Sequence, residues 1–426
     1  MLLTRKFPIL RNRNFLLLWL GQTVSQLGDA FFSIAILVKV FDMSGSTMMV
    51  GQILMLTILP SILMGFLIGP WIDRFNKVKT LIVIDVARAL VVILIPLANS
   101  IEILALIVFI LSGLTAIFNP TITTLIPNVV NGEEELTEAN ALSSTTQSFA
   151  FLVGPAIGGF IILYLGINLS FYLDCFSYIF SVLCIYLLKV KVEQYQIIES
   201  KGIIDEWLLG LRYIRNNKLV RDLIIAFVLF IFTGTAIEIL LISLVKETLK
   251  LSTLWLGIVD SAWALGMLIG GSVAFIMKGK ISPIKTMFLG LSGAGLMMII
   301  LSFTPNILVV ILVMTVMGIL NTLAAVGSIT VLKLNIPQEI RGRVFTFRST
   351  LIQCAAVMSM IIGGVLADMI GIRETIRVAG LVELAWITLW LILRIYRSKF
   401  SFHIVKKQVN LTEVVNEPLQ QELKQD

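Results

Sequence analysis

Long runs without a charged side chain dominate this sequence and restrict the folds that it can adopt. Four stretches of 30 to 47 residues contain no Asp, Glu, Lys or Arg: residues 43–72, 103–132, 139–173 and 286–332. A helix needs about 20 apolar residues to cross a bilayer. Hydrophobic residues make up 58% of the chain and charged residues 14%, too few polar groups for a water-soluble surface. We therefore expect an all-α membrane protein.

Apolar runs bounded by turn signals predict twelve membrane-spanning helices, which we number as spans 1 to 12. The first run is longer than the roughly 7–15 apolar residues of a cleaved signal peptide, so we expect it to remain as span 1. In chain order, the predicted spans are residues 14–40, 47–71, 79–98, 102–127, 138–164, 168–189, 220–246, 252–277, 283–303, 306–332, 345–370 and 374–396.

Six spans, a long polar segment and six further spans indicate two related six-helix bundles. We predict an N-terminal bundle over residues 1–190, a linker over 191–219, a C-terminal bundle over 220–400 and a disordered tail over 401–426. Apolar residues recur at helical spacing within the linker, which predicts an amphipathic helix on the inner membrane surface. These residues are Ile203, Ile204, Trp207, Leu208, Leu211 and Ile214.

The distribution of Lys and Arg predicts the orientation in the membrane. Along the predicted topology, about 26 of these residues lie on the side of the N-terminus and about five on the other side. Basic residues collect on cytoplasmic loops, so we expect both termini in the cytoplasm. The net charge of +7 has the same explanation and does not indicate a nucleic-acid-binding surface.

The sequence offers no basis for catalytic or metal chemistry. The single histidine, His403, lies in the predicted tail, and the three cysteines fall inside apolar runs, without the spacing of zinc ligands. We find no Walker-type phosphate loop and no nucleophile–base pair. We expect no enzyme activity, no cofactor, no metal and no nucleic-acid partner.

A short charged turn joins spans 2 and 3. Its pattern is a glycine, then Asp-Arg four residues later, then basic residues, and it resembles the signature loop of the major facilitator superfamily of transporters. Asn76 stands where the family has a second glycine, and Val78 stands where it has the last basic residue. The matching residues are Gly69, Asp73, Arg74 and Lys77.

The resemblance implies that this turn takes part in gating at the cytoplasmic side. In the family, the aspartate position meets the facing bundle, and here Arg341 and Arg343, just before span 11, would supply positive partners. The alternative is a charge cluster that only sets the orientation.

Two further patterns point to a branch of this superfamily. Gly154, Pro155, Gly158 and Gly159 in span 5 resemble the antiporter motif of its exporters, although close packing of small residues is the alternative. The continuation of the charged turn through span 3, together with residues 139–142 and 341–344, resembles the macrolide-efflux-like branch.

Ionisable residues inside the spans are candidates for proton coupling. A charge near the bilayer centre costs at least about 2.5–3.5 kcal/mol, and a carboxyl group in a dry cavity can exchange a proton near neutral pH. A structural ion pair between two residues of span 3 and a solvated vestibule for the acid of span 6 are the alternatives. We favour structural roles for Asp260 and Glu383. The candidates are Asp29, Glu238, Asp85, Arg88 and Asp174.

Aromatic, thioether and uncharged polar side chains are candidates for a substrate cavity. Such side chains suit poorly defined apolar ligands, although each single one also fits a role in helix packing. The candidates are Gln22, Phe31, Met55, Phe118, Asn119, Phe230 and Trp263.

Taken together, the resemblance implies a secondary active transporter of the major facilitator fold. We expect a monomer in the bacterial plasma membrane that exports small amphipathic, drug-like or macrolide-like molecules by proton-coupled antiport and alternating access, which would confer antibiotic resistance. The alternatives are export of a siderophore, metabolite or lysophospholipid, or a membrane sensor or scaffold without transport activity.

Overall fold

The computed structural model of the protein describes residues 8–65, 76–189 and 203–392, and it is helical throughout these ranges, without a strand. Among the predicted features, Gly69, Asp73, Arg74 and the tail from residue 401, with His403, lie outside the described residues.

Twelve helices, α1 to α12, correspond one to one with the predicted spans in the described ranges. Eleven of them are long and apolar enough to cross a bilayer, and the described part of α2 is shorter. The prediction of an all-helical membrane protein is confirmed. The helices are Arg13–Ser44, Thr47–Gly65, Lys77–Leu97, Ile101–Val129, Gly132–Leu165, Ile167–Tyr186, Lys218–Thr248, Thr253–Met277, Pro283–Phe303, Ile307–Asn335, Gln338–Ile370 and Ile372–Ile392.

Two helices, α5 and α11, begin well before their predicted first residues, 138 and 345. Helix α5 begins at Gly132, so that Glu133, Glu134 and Glu135 occupy its first turn, where carboxylates interact favourably with the helix dipole. Helix α11 begins at Gln338 and includes the basic segment placed in a loop by hydropathy. Hydropathy detects the part of a helix inside the apolar layer, and both helices extend beyond it with polar turns.

Helices α1 to α6 pack together in one group and α7 to α12 in another, and we call these groups the N-half and the C-half. The two halves meet along α5 with α8 and along α2 with α11. We call the end where α1 begins the near end and the opposite end, with the loop at Gly45, the far end.

A further helix, Ile203–Asn216, lies in the predicted linker, and we call it the linker helix. It packs on the near end of the C-half: Ile214 is buried, and the Tyr213 hydroxyl donates to the carbonyl oxygen of Asn335 over 3.0 Å. The backbone of Gly210 lies against the Arg343 carbonyl. These contacts tie the linker helix to α10 and α11.

Helix α7 is interrupted in its middle. A regular segment ends at Gly234, a second begins at Ala236, and the last turn, from Leu244 to Thr248, is a π-helix. The amide of Ala236 donates to the hydroxyl of Ser359 in α11 over 2.8 Å. Interruptions of this kind often accompany functional positions in membrane helices, and Glu238 follows directly.

Candidate transport cavity and its charged network

A cavity of about 660 Å³ lies between the two halves. Its wall is formed by α1 and α5 of the N-half and by α7, α8, α9 and α10 of the C-half. This volume is within the 300–1,000 Å³ typical of sites for drug-sized ligands. Three of its lining residues are acids: Asp29, Glu238 and Asp260.

Backbone contact between α5 and α8 closes the cavity toward the far end. A Cβ atom on Gly257 would overlap the carbonyl of Pro155, and one on Gly159 would lie 3.2 Å from the Cα of Leu254. The amide of Ala156 donates to the Ser261 hydroxyl over 3.1 Å. Only glycine permits helices to approach this closely, as at interfaces of small residues in membrane proteins.

The same arrangement recurs between α2 and α11. A Cβ atom on Gly364 would lie 2.8 Å from the Cα of Met48, and one on Gly51 would lie 3.2 Å from the carbonyl carbon of Met360. Residues 157–159 and residues 362–364 both read Ile-Gly-Gly. The sequence does not predict this second site, and the triplet alone does not signal it, because residues 269–271 read the same and pack within the C-half.

Three polar contacts between the halves lie at the far end. Lys246 of α7 forms a salt bridge with Asp42 of α1. The hydroxyls of Thr47 and Ser243 are 2.6 Å apart, and that of Ser46 donates to Asp368 over 2.9 Å. With the glycine contacts, they seal this end of the cavity.

The predicted span 5 motif is divided between two neighbours of α5. Gly154 and Gly158 lie against Ala30 and Phe31 of α1, whereas Gly159 faces α8. Pro155 lines the cavity. One face of the motif thus packs within the N-half, and another forms the interface between the halves.

Asp29 connects the cavity with a buried charged network in the N-half. The hydroxyl of Tyr178 donates to Asp29 Oδ1 over 2.7 Å. The Arg88 guanidinium carbon lies 4.7 Å from the ring centroids of both Tyr178 and Phe118, which are cation–π contacts. Asp29 is therefore linked through the Tyr178 ring to a fixed positive charge.

Arg88 is the only cation that contacts the acids of this network in the described part of the chain. It lies 3.3 Å from Asp85 Oδ1, and its Nη2 donates to the Thr115 hydroxyl over 2.7 Å. Arg88 is 2% exposed and Asp85 is not exposed at all. The spacing of three residues predicted this ion pair, whereas the contacts with Thr115 and Tyr178 come from other helices.

Asp174 is a third carboxyl group in this region. It is fully buried in α6, its Oδ1 accepts a 3.4 Å hydrogen bond from Ser177, and it faces Gly28, the neighbour of Asp29. Its Oδ2 has no partner among the described residues. The solvated vestibule considered as an alternative for Asp174 does not match this burial.

Glu238 and Asp260 line the cavity from α7 and α8. Within the described ranges, neither side chain has an ion pair or a hydrogen bond. The sequence favours a structural role for Asp260, whereas the structure places it in the wall of the cavity. Gln147 and Asn321 also line the cavity and were not predicted.

Glu383 is buried in α12, away from the cavity. It is 3% exposed and forms a short hydrogen bond with the hydroxyl of Thr233 in α7. Its Oε1 has no partner in the portion of the structure that is described. Glu383 therefore links α12 to α7 inside the C-half.

Two described members of the predicted gating group, Lys77 and Arg341, form hydrogen bonds within their own halves. Lys77 Nζ donates to the carbonyl of Thr124 over 3.1 Å. Arg341 donates to the carbonyl oxygens of Lys333 and Ile336 at the end of α10, over 3.0 and 3.2 Å. Arg343 lies in the first turns of α11, where its carbonyl contacts the linker helix.

Of the seven predicted cavity residues, Phe230 and Trp263 line the cavity. Phe118 contacts Arg88, and Gln22 donates to Ser181 over 3.5 Å. Phe31 has its backbone against Gly158. Met55 and Asn119 are not among the lining residues. The rotation of each helix about its axis, which the sequence does not show, accounts for the difference.

Two six-helix halves with a cavity between them are the architecture of the major facilitator fold. A family model described as transmembrane secretion effector matches residues 4–425, and the chain belongs to this family. The family match and the relatives identify the chain as a membrane transporter and not an enzyme.

Proteins with efflux names are among its relatives. The chain is 22% identical over 375 residues to macrolide efflux protein A of Streptococcus pyogenes, covering 86% of this chain and 92% of that protein. It is 24% identical over 356 residues to the multidrug efflux pump Tap of Mycolicibacterium fortuitum, covering 79% and 85%.

Solved structures support the fold. The crystal structure of a bacterial homologue of the iron transporter ferroportin, in an inward-facing state, superposes with a TM-score of 0.69 at 16% sequence identity. The match covers 89% of this chain and 98% of that one. At this identity the likeness concerns the fold alone.

Proposed function

We propose that the protein exports amphipathic small molecules from the cytoplasm in exchange for protons, by alternating access. One observation carries the proposal: Asp29 lines the cavity and is joined by Tyr178 to a buried network of charges. A residue that is open to the substrate site and coupled to a buried network can exchange a proton for a substrate.

The charge balance of the network supports proton binding. Asp29, Asp85 and Asp174 are three carboxyl groups whose charges interact with one guanidinium, that of Arg88, and Asp85 forms a salt bridge with it. If all were ionised, the region would carry a net charge of −2 in an apolar interior, at a cost of several kcal/mol per unpaired ion. Binding of protons offsets this cost, and Asp29 is the member that reaches the cavity.

The state of the structure fits the loading step of an exporter. The far end is sealed by glycine contacts and polar bridges. Toward the near end, polar side chains of largely apolar helices are exposed, including Thr123, Ser144 and Gln147. With both termini in the cytoplasm, as the positive-inside rule predicts, this state faces inward.

The proposed cycle follows from these positions. Substrate enters the cavity from the near end while Asp29 loses its proton to the cytoplasm. The halves rock, the contacts at the far end separate, and substrate leaves as a proton from outside binds Asp29. The names of the efflux relatives support export of drug-like or macrolide-like molecules. The proposed cycle takes place in a bacterial plasma membrane, with a monomer as the working unit.

Reconstitution in liposomes tests the proposal. With an imposed pH gradient, we expect accumulation of a macrolide coupled to proton movement, followed with a dye sensitive to internal pH. Asp29→Asn should lower uphill accumulation at least about tenfold while keeping downhill exchange, because it removes the coupled proton and not the cavity. Glu238→Gln tests the second predicted coupling acid in the same assay.

Glu133→Gln, an exposed acid in the first turn of α5, is the matched control and should transport as the wild type does. Full uphill accumulation by Asp29→Asn would refute the coupling role. Macrolide movement in the wild type that ignores the pH gradient would refute antiport.

A further inference from the structure

We propose that the cavity selects amphipathic organic cations, with Glu238 and Asp260 as the counter-charges for the bound cation. This inference rests on the proposed function for its physiological meaning and assigns a substrate class to the same cavity. It separates the binding of substrate, through two acids of the C-half, from the binding of the proton, through Asp29 of the N-half.

The first argument is the difference between the three acids of the cavity wall. Asp29 accepts a hydrogen bond from Tyr178 and is linked by that ring to Arg88. In the described part of the protein, Glu238 and Asp260 have no such partner. Two acids that line the cavity without a counter-ion leave room for one that arrives with the ligand.

The second argument is the composition of the remaining wall. Among the described residues that line the cavity there is no Lys, Arg or His. Clefts that are lined by charge of one sign and have apolar walls concentrate ligands of the opposite sign. The resulting field attracts cations and repels the phosphate of a lysophospholipid or an anionic siderophore.

The third argument is the aromatic surface beside the acids. Asp260 and Trp263 are three residues apart on α8 and both line the cavity, so a carboxylate and an indole ring are neighbours. The Trp263 and Phe151 rings have centroids 5.8 Å apart, and Phe230 lines the same cavity. Aromatic faces beside carboxylates are a recurring arrangement in sites for organic ammonium ions.

A fourth observation is independent of the acids. Gln26 lines the cavity from α1, and its Oε1 is shielded from solvent without a hydrogen-bond partner in the described ranges. A buried acceptor without a donor is unfavourable, and a ligand group that donates a hydrogen bond to it removes this cost. Gln26 thus adds a further negative pole to the wall.

Equilibrium binding of two ions of matched shape tests the inference. Tetraphenylphosphonium and tetraphenylborate have nearly the same size and apolar surface but opposite charge. We expect the wild-type protein in detergent, without any gradient, to bind tetraphenylphosphonium at least about tenfold more tightly than tetraphenylborate. Equal binding, or tighter binding of the anion, would overturn the inference without any variant.

Variants assign the counter-charges. Glu238→Gln combined with Asp260→Asn should weaken tetraphenylphosphonium binding at least about tenfold and leave tetraphenylborate binding equal or stronger. Asp29→Asn should weaken cation binding less than the double variant does, because the Tyr178 hydroxyl and Arg88 already partner this acid. Retained cation affinity in the double variant would refute the assignment, as would an equal or larger loss in Asp29→Asn alone.

The outcome is separable from that of the proposed function. Cation binding that depends on Glu238 and Asp260, with no transport coupled to protons, supports the inference and refutes antiport. Proton-coupled macrolide transport, with no preference between the two ions in the binding assay, supports antiport and refutes the inference. Glu133→Gln serves again as the control variant, and circular dichroism of each variant reports whether it has folded.

Discussion

The hydroxyl of Tyr178 lies 2.7 Å from Asp29 and joins an acid in the wall of the cavity to the buried guanidinium of Arg88. The bond crosses from α6 to α1, so that a change in the charge of Asp29 acts on the packing inside the N-half. This is the physical link between the binding site and the helices that must move during transport.

Tyr178→Phe removes the hydroxyl donor and keeps the ring that contacts Arg88. Hydrogen bonds to charged groups contribute about 1.5–3 kcal/mol, so we expect the rate of proton-coupled transport to fall about tenfold or more. Binding of substrate without a gradient should change little, because Tyr178 does not line the cavity. Flux and binding assays on the same preparation check this, and an unchanged flux would contradict the role of the bond.

Arg88→Met leaves the carboxyl groups of the network without their cation. Breaking a buried ion pair by removal of one partner typically costs about 3–5 kcal/mol, and we expect the melting temperature of the purified protein to fall accordingly. Adding Asp85→Asn should recover part of the loss, since it removes the unpaired acid. Thermal unfolding of the single and double variants measures this. A further loss of stability on adding Asp85→Asn would contradict an excess of negative charge in the network.

Gly257→Val places a side chain where α8 meets the Pro155 carbonyl. The halves cannot then close at the far end, and we expect a shift toward states that are open there. Overpacking costs about 1–3 kcal/mol, enough to change the ratio of two conformers about fivefold or more. The shift is measured by introducing a cysteine at the far end and comparing its labelling rate in Gly257→Val with the rate of the same cysteine when Gly257 is kept.

Gly271→Val in the same helix is the matched control. A Cβ atom there meets nothing within 4 Å, so the substitution tests valine in α8 without the contact. Equal labelling rates for the two valine variants would show that the glycine contact does not set the conformational balance.

Glu383→Gln and Glu383→Ala test whether the carboxyl group of Glu383 is protonated or ionised. The Thr233 hydroxyl has one proton but faces two backbone carbonyls, of Leu229 and Phe230, as well as Glu383. A protonated Glu383 donates its proton to the Thr233 hydroxyl oxygen, and the hydroxyl proton is then free to bond a backbone carbonyl. A glutamine amide can donate to Thr233 in the same way. We expect the glutamine variant to keep its stability and the alanine variant to lose about 1–3 kcal/mol. Thermal unfolding of both variants measures this, and an equal loss of stability in the two would contradict a protonated Glu383.

Much of the fold follows from local properties of the sequence. The length of an apolar run decides whether a helix can cross the bilayer, and an i, i+3 spacing on one helix brings Asp85 and Arg88 together whatever surrounds them. The twelve spans and this ion pair were therefore predictable. The residues at which α5 and α11 begin were not predictable, because their polar first turns extend beyond the apolar layer.

The composition of the site depended on contacts between helices that are distant in the chain. Each membrane helix is apolar nearly all round, so its sequence does not show which face meets the cavity. Hence Asp29, Glu238, Phe230 and Trp263 were predicted for the site and line it, whereas Asp260 and the second Ile-Gly-Gly contact were found only in the structure. The sequence alone determined that the chain spans the membrane twelve times, since hydrophobic length acts residue by residue; the tertiary structure decided which acids face the cavity, since helix rotation is set by packing across the two halves.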